Sequence, residues 1–214
     1  MELCIISDAM FEQYYSDGYI VLEDLIYLEQ LGNIQASYEA TIEAALVLGR
    51  AERDERTHFL KGHRFQDPHH PAIAQRILMQ AMGAPELIEF ANRIFGGDPA
   101  MLGIAAFAME EVYEYLPDWH RDLYVAWGKY SPEELRVRRM DRMPATQVLL
   151  ALKDDHFFWF VPGSHNRPNT AREEVRFEEG QTGWQELFEG AVQVEVRAGS
   201  VVRCPLMRGE LILG

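Results

Sequence analysis

The second half of this chain alternates short runs of β-branched and aromatic residues with turns, and this pattern most constrains the fold. Such side chains suit a pleated, half-buried surface, and runs this short are typical of strands. Several short strands at this spacing favour a barrel or a sandwich over a doubly wound parallel sheet. The predicted strands cover residues 103–109, 112–123, 146–152, 157–161, 191–196 and 201–204.

The first hundred residues are predicted to be largely helical. Residues 25–50 are rich in Leu, Ala and Glu at helical spacing, and further helices are expected over 71–82 and 85–95. Gly83 and the pair Gly96-Gly97 would end the last two, because glycine readily adopts the left-handed conformation found at helix ends. Two polar inserts and a short amphipathic helix are also expected, over residues 131–143, 166–181 and 183–190.

Composition indicates one globular domain over residues 1–214, helical up to about residue 100 and mainly β thereafter. Hydrophobic residues make up 48% of the chain and charged residues 25%, which is ordinary for a packed core. Lys and Arg number 20 against 34 Asp and Glu, and the resulting charge of −14 argues against a nucleic-acid partner.

The same sequence predicts a cytoplasmic protein that does not enter a membrane. No apolar run approaches 18 residues, and the N-terminus lacks the basic-then-apolar pattern of a signal peptide. Cys4 and Cys204 are the only cysteines, which gives neither a disulfide scaffold nor a zinc-binding spacing.

One short polar motif, His120-x-Asp122, could bind a metal. Residues two apart on an extended strand point to the same face, so an imidazole nitrogen and a carboxylate oxygen would lie side by side. They would supply two members of the 2-His-1-carboxylate triad that binds non-haem Fe(II). The alternative is a surface His-Asp hydrogen bond at a strand end, because this motif alone is a weak signal in a chain with 7 His.

The surroundings of this motif resemble the phytanoyl-CoA dioxygenase family. Four segments are similar to that family in the expected order: residues 11–22, Trp119-His120-Arg121-Asp122, residues 147–165 and residues 198–202. The resemblance implies a double-stranded β-helix (a cupin-like jelly-roll) with N-terminal helices packed on it, of α+β, mainly β class. It also implies a dioxygenase that uses Fe(II), O2 and 2-oxoglutarate to hydroxylate a small organic substrate, with His120 and Asp122 as metal ligands.

Three further residues lie in segments that the resemblance places near this site. Gln147 shares one face of its predicted strand with Leu149 and Ala151, and the corresponding family strand faces the barrel interior near 2-oxoglutarate. Gln147 is therefore a candidate for binding the co-substrate, with a solvent-facing position as the alternative. The resemblance implies that His165 caps a turn and is not a ligand, and His156 is expected to be exposed.

Aromatic residues concentrate around the predicted metal motif. They would either shape an apolar substrate pocket or pack in the core. The residues concerned are Tyr113, Tyr115, Trp119, Trp127 and Trp159.

The sequence departs from the family pattern near residue 214. Family members carry a second metal-binding His and a 2-oxoglutarate-binding Arg there, but no His follows His165, and neither Arg203 nor Arg208 sits at the family position. Three explanations stay open: an incomplete C-terminus, a non-catalytic relative, or a ligand from elsewhere. The rival functions are a jelly-roll binding protein and a cupin-like metalloenzyme that does not use 2-oxoglutarate. A homodimer also stays open.

Overall fold

The computed structural model describes residues 6–47, 51–53, 60–62, 75–97, 106–108, 119, 146–167, 169–178, 187–205 and 212–213. They fall into two compact units. The first contains Met1–Leu25, Arg93–Gly96 and Leu116–Gly214, and the second contains Ile26–Asn92 and Gly97–Tyr115. The single domain expected from composition stays a prediction.

The first unit opens with helix α1 (Asp8–Asp17), and local chemistry defines both of its ends. The Ser7 hydroxyl accepts a hydrogen bond from the Met10 N–H, which satisfies one of the free donors of the first turn. Gly18 ends the helix with φ +88°, a left-handed conformation that glycine adopts without strain, and its N–H donates to the Tyr14 carbonyl.

Three strands of the first unit form an antiparallel sheet, which we call the first sheet. Its order is β1-β8-β5, so β8 is the middle strand. The strands are β1 (Ile20–Leu22), β5 (Thr146–Leu150) and β8 (Val201–Pro205). In register, Ile20 and Val148 both lie opposite Arg203, while Gln147 lies opposite Cys204.

Three other strands form the second sheet of this unit, in the antiparallel order β7-β6-β9. They are β6 (Asp155–Phe160), β7 (Val192–Val196) and β9 (Ile212–Leu213). The two sheets pack face to face through a cluster of apolar side chains, which confirms the predicted sandwich. The cluster consists of buried Phe160, Val194, Val196, Val202 and Cys204, with Tyr19, Val21, Leu149, Ala151 and Phe158 packed against it.

The turn between β7 and β8 joins the two sheets. The Gly199 N–H donates to the Ala151 carbonyl at 2.8 Å, and the Ser200 carbonyl accepts from the Ala151 N–H at 3.0 Å. The Ser200 hydroxyl also accepts from the Asp24 N–H. This turn therefore ties the end of β5 to the segment that follows β1.

In its described residues, the second unit contains three helices and a small antiparallel sheet of order β2-β3-β4. Buried Leu31, Ile34 and Thr41 line one side of the longest helix, at the spacing of an amphipathic helix. The helices are α2 (Leu28–Val47), α3 (Gln75–Met82) and α4 (Pro85–Phe95), of which residues 93–95 belong to the first unit. The strands are β2 (Ala51–Arg53), β3 (Leu60–Gly62) and β4 (Ala106–Ala108).

Most of the predicted elements are confirmed where the chain is described. Helices α2, α3 and α4 lie within the predicted segments, and β4 to β8 match predicted runs to within a few residues. The strand predicted over 112–123 lies outside the described residues apart from Trp119. The insert at 131–143 lies outside them entirely. Of the helix predicted over 183–190 only residues 187–190 are described, and the prediction is wrong there, because these residues are not helical and form a turn at 189–190.

Some of the described elements were not expected from the sequence. Strands β2, β3 and β9 lie in stretches with no strand prediction, and helix α5 (Ala171–Glu178) lies within the segment predicted as a polar insert. No helix in the described part of the chain is long and apolar enough to cross a membrane.

The stability of the second unit should depend on the ionisation of Tyr38 in α2. Burial raises the pKa of this phenol from 10.0 to about 12, so the folded state favours its neutral form. The stability that the folded state gains from keeping Tyr38 neutral is complete below pH 10 and is lost as the pH rises through 12. We expect the free energy of unfolding to fall over this range by about 1–2 kcal/mol from Tyr38, after allowing for its partial exposure.

Urea unfolding across this pH range would measure the effect. Tyr38→Phe should flatten the decline, whereas Tyr27→Phe, at a tyrosine that is 46% exposed, should leave it unchanged. Parallel curves for wild type and Tyr38→Phe would contradict the prediction.

Candidate active site

The predicted metal ligands lie outside the described residues. The structure therefore does not test His120 and Asp122, and both stay predictions. Within the described residues, no group of three or more His, Cys, Asp or Glu side chains could hold a metal ion. The nearest described residue in the chain is Trp119.

Trp119 is buried at 5% exposure in an apolar cluster of the first unit. Its ring meets the Phe188 ring edge to face, with centroids 5.2 Å apart at 65°. Val161, at the end of β6, completes the buried set, and Trp159 and Ala191 pack against it. Two of the five aromatics considered at the sequence level, Trp119 and Trp159, thus belong to one packed cluster. The other three lie outside the described residues.

Gln147 lies on the face of the first sheet that packs against the second sheet, which we call the inner face. Its strand neighbours Leu149 and Ala151 pack into the cluster between the sheets. The Cys204 thiol opposite donates a hydrogen bond to Gln147 Oε1, with an S···O distance of 3.8 Å. Gln147 is only half-buried, so its carboxamide lies at the border of the sandwich interior. Its predicted role as a co-substrate ligand stays a prediction.

Arg203 belongs to the opposite, outer face of the first sheet. Side chains alternate along a strand, so Arg203 points away from the face that carries Val202 and Cys204. Helix α1 covers this outer face, where the Tyr14 hydroxyl and the Thr146 hydroxyl are 3.0 Å apart. Burial lowers the pKa of Arg203 to about 10, partly offset by Tyr14 and Cys204. Arg203 is therefore charged at neutral pH but does not face Gln147, and Arg208 lies outside the described residues.

His165 is a buried capping residue, at 1% exposure. Its Nε2 donates to the Tyr15 carbonyl at 3.1 Å, because a carbonyl can only accept. The Gly163 N–H donates to the Asp17 carbonyl at 2.8 Å. The turn that follows β6 thus donates hydrogen bonds to two carbonyls of the last turn of α1, where a helix cannot satisfy every carbonyl by itself.

Gly163 is favoured at this turn by its φ of +74°, a left-handed conformation that other residues adopt only with strain. The position of its missing Cβ is 3.4 Å from the Ser16 carbonyl oxygen, which is ordinary van der Waals contact. The turn and the end of α1 therefore pack against each other backbone to backbone. His156, by contrast, is exposed, as predicted.

An ion pair that sequence reasoning missed holds the segment after this turn. The Arg167 guanidinium donates two hydrogen bonds to Glu173, at 2.8 and 2.7 Å, and these raise the pKa of Arg167. Glu173 is 2% exposed and also accepts from the Thr170 N–H, while the Thr170 hydroxyl accepts from the Glu173 N–H. This reciprocal pair is a capping box, and the Thr-x-x-Glu spacing at the start of α5 was its visible signal.

The chain is similar in fold to several solved structures. HygX from Streptomyces hygroscopicus, with nickel and 2-oxoglutarate bound, matches with a TM-score of 0.68 at 14% identity, covering 98% of this chain and 81% of that one. AviO1 from Streptomyces viridochromogenes Tue57 matches with a TM-score of 0.61 at 19% identity, covering 96% and 86%. EctD from S. alaskensis, with 2-oxoglutarate and 5-hydroxyectoine, matches with a TM-score of 0.62 at 17% identity, covering 97% and 69%.

These likenesses define the fold as that of the 2-oxoglutarate oxygenases, the double-stranded β-helix. The sequence model of the family described as phytanoyl-CoA dioxygenase (PhyH) matches residues 14–205. The chain belongs to this family, as the sequence resemblance predicted. A comparison with curated proteins gives no match.

His165→Leu should destabilise the first unit because it leaves the Tyr15 carbonyl without its donor. We expect the free energy of unfolding to fall by about 1–3 kcal/mol in urea titrations. The matched change His156→Leu, at an exposed His, should shift it by less than about 0.5 kcal/mol. Unchanged stability together with lost Fe(II) binding in His165→Leu would instead identify His165 as a ligand.

Trp119→Ala should cost the first unit about 3–5 kcal/mol, the usual range for removing a buried aromatic side chain. Trp119→Phe should recover much of this, because it keeps a ring against Phe188. Thermal and urea unfolding would measure both. A cost below about 1 kcal/mol for Trp119→Ala would show that the cluster does not depend on this ring.

Proposed function

We propose that this protein is an Fe(II)- and 2-oxoglutarate-dependent dioxygenase that hydroxylates a small organic substrate. The observation that carries the proposal is the family match over residues 14–205, which covers the whole first sheet, strands β6 and β7 of the second sheet and the His120-x-Asp122 motif. Structural neighbours that hold nickel or Fe3+ together with 2-oxoglutarate or alpha ketoglutarate support the same chemistry.

The residues of this chain suit such a metal in part. His120 and Asp122 would hold Fe(II) through an imidazole nitrogen and a carboxylate oxygen, a donor set that this ion accepts. The third protein ligand is not assigned to any residue. When bound, the metal and co-substrate together supply the oxidising chemistry: O2 and 2-oxoglutarate convert a substrate C–H to C–OH, with succinate and CO2 as the other products.

Gln147 would serve the co-substrate. Its carboxamide carries N–H donors that a carboxylate can accept, and it lies on the inner face, at the border of the sandwich interior. Arg203 is not suited to bind the same carboxylate, because it lies on the outer face under α1. The carboxylate of Asp122 favours hydroxylation over halogenation, because family members that halogenate have a small residue at this position.

The partners of the reaction are proposed from sequence and family alone. We expect a small organic substrate and O2, no nucleic-acid partner in view of the charge of −14, and a cytoplasmic location.

An anaerobic titration with Fe(II) and then 2-oxoglutarate tests the proposal. We expect a visible metal-to-ligand charge-transfer band that requires both components and disappears in His120→Ala and in Asp122→Ala. His156→Ala, at an exposed His outside the proposed site, is the matched control and should keep the band. No band and no bound iron in the wild type would instead favour a jelly-roll binding protein without catalysis.

Iron binding without any response to 2-oxoglutarate is a third outcome. It would favour a cupin-like metalloenzyme that works without this co-substrate.

A further inference from the structure

Strands β5 and β8 place a thiol directly opposite the carboxamide proposed to bind the co-substrate. Cys204 and Gln147 are register partners on the inner face, and the Cys204 thiol donates to Gln147 Oε1. We propose that Cys204 is a positioning residue that orients the Gln147 amide so that its NH2 group, and not its oxygen, faces the carboxylate of 2-oxoglutarate. This inference rests on the proposed function and deepens it.

The argument starts from the asymmetry of a carboxamide. One end of the group carries an acceptor oxygen and the other carries two N–H donors, so a rotation of 180° about the last side-chain bond exchanges them. Only the donor end can bind a carboxylate, because an oxygen in the same place would repel it. A residue that engages the oxygen therefore selects the orientation that binds an anion.

Cys204 is placed to make this selection. Within the described part of the chain, the hydrogen bond from Cys204 is the only one made by the Gln147 carboxamide. The apolar neighbours Leu149 and Val202 offer no hydrogen bond that would favour either orientation. The thiol is a weak donor, but it does not need to compete with water, because Cys204 is 0% exposed.

The position of the pair in the fold also favours this role. The second sheet closes the inner face over Val202 and Cys204, whereas Gln147 is half-buried at the border of this interior. The buried thiol holds the carboxamide oxygen, so the amide nitrogen is left to donate to the carboxylate of 2-oxoglutarate. The thiol itself is too buried to meet that ligand.

The experiment is a titration of the Fe(II)-loaded protein with 2-oxoglutarate in the absence of oxygen. The intensity of the charge-transfer band reports how much co-substrate is bound. Cys204→Ala should raise the dissociation constant for 2-oxoglutarate by about two- to tenfold, the range expected for one hydrogen bond. Cys204→Ser keeps an O–H donor in the same place and should stay within about twofold of wild type. Unlike turnover, this readout reports binding of the co-substrate directly.

Val202→Ala is the matched control for packing. Val202 lies on the same strand, on the same face and in the same cluster, is also 0% exposed, and makes no hydrogen bond to Gln147. Its truncation should lower the thermal unfolding temperature while leaving the dissociation constant unchanged. If the dissociation constant for 2-oxoglutarate rises equally in Val202→Ala and Cys204→Ala, loosened packing is responsible. That result would overturn the inference.

A double-mutant cycle shows whether Cys204 acts through Gln147. In a Gln147→Leu background, Cys204→Ala should have no further effect on 2-oxoglutarate binding. An undiminished effect in that background would overturn the positioning role while leaving the proposed function intact. A wild-type protein that gives no band at all would overturn both.

Discussion

The first unit depends on strand β8, the middle strand of the first sheet, being buried on both faces. Val202 and Cys204 fill the space between the two sheets, while Arg203 lies beneath α1. A slip of one residue would exchange these faces and place a guanidinium in the apolar interior. Because burying a charge among apolar groups is costly, the register of this strand is strongly specified. The opposition of Gln147 and Cys204 follows from that register.

The turn after β6 connects this sandwich to its N-terminal helix. Val161 packs in the cluster that contains Trp119, and Gly163 and His165 bind carbonyls at the end of α1. One short segment thus contacts both α1 and the residue that precedes the predicted metal motif. The segment resembles a family motif, and its hydrogen bonds account for Gly163 and His165 without any role in metal binding.

Sequence patterns predicted those helices and strands whose ends and periodicity are set by residues close together in the chain. Helix α4 begins at Pro85 and ends before the glycines, and β7 alternates between exposed and buried residues as a half-buried strand does. Strands β2 and β3 are three residues each, too short for alternation to appear. The ion pair of Arg167 with Glu173 joins residues whose closeness depends on how the loop folds back, and no local pattern encodes that.

By itself, the sequence determined the class of the fold, the family and the candidate ligand pair His120 and Asp122, because motifs and strand patterns are local. Only the tertiary structure decided which face of the first sheet each side chain occupies. Alternation defines two sets of residues on a strand, but the partner sheet and the covering helix decide which set faces which layer. For that reason Gln147, a candidate from the sequence, and Arg203, which the sequence left unassigned, lie on opposite faces of the sheet. Cys204 lies opposite Gln147, a pairing that its sequence position does not reveal.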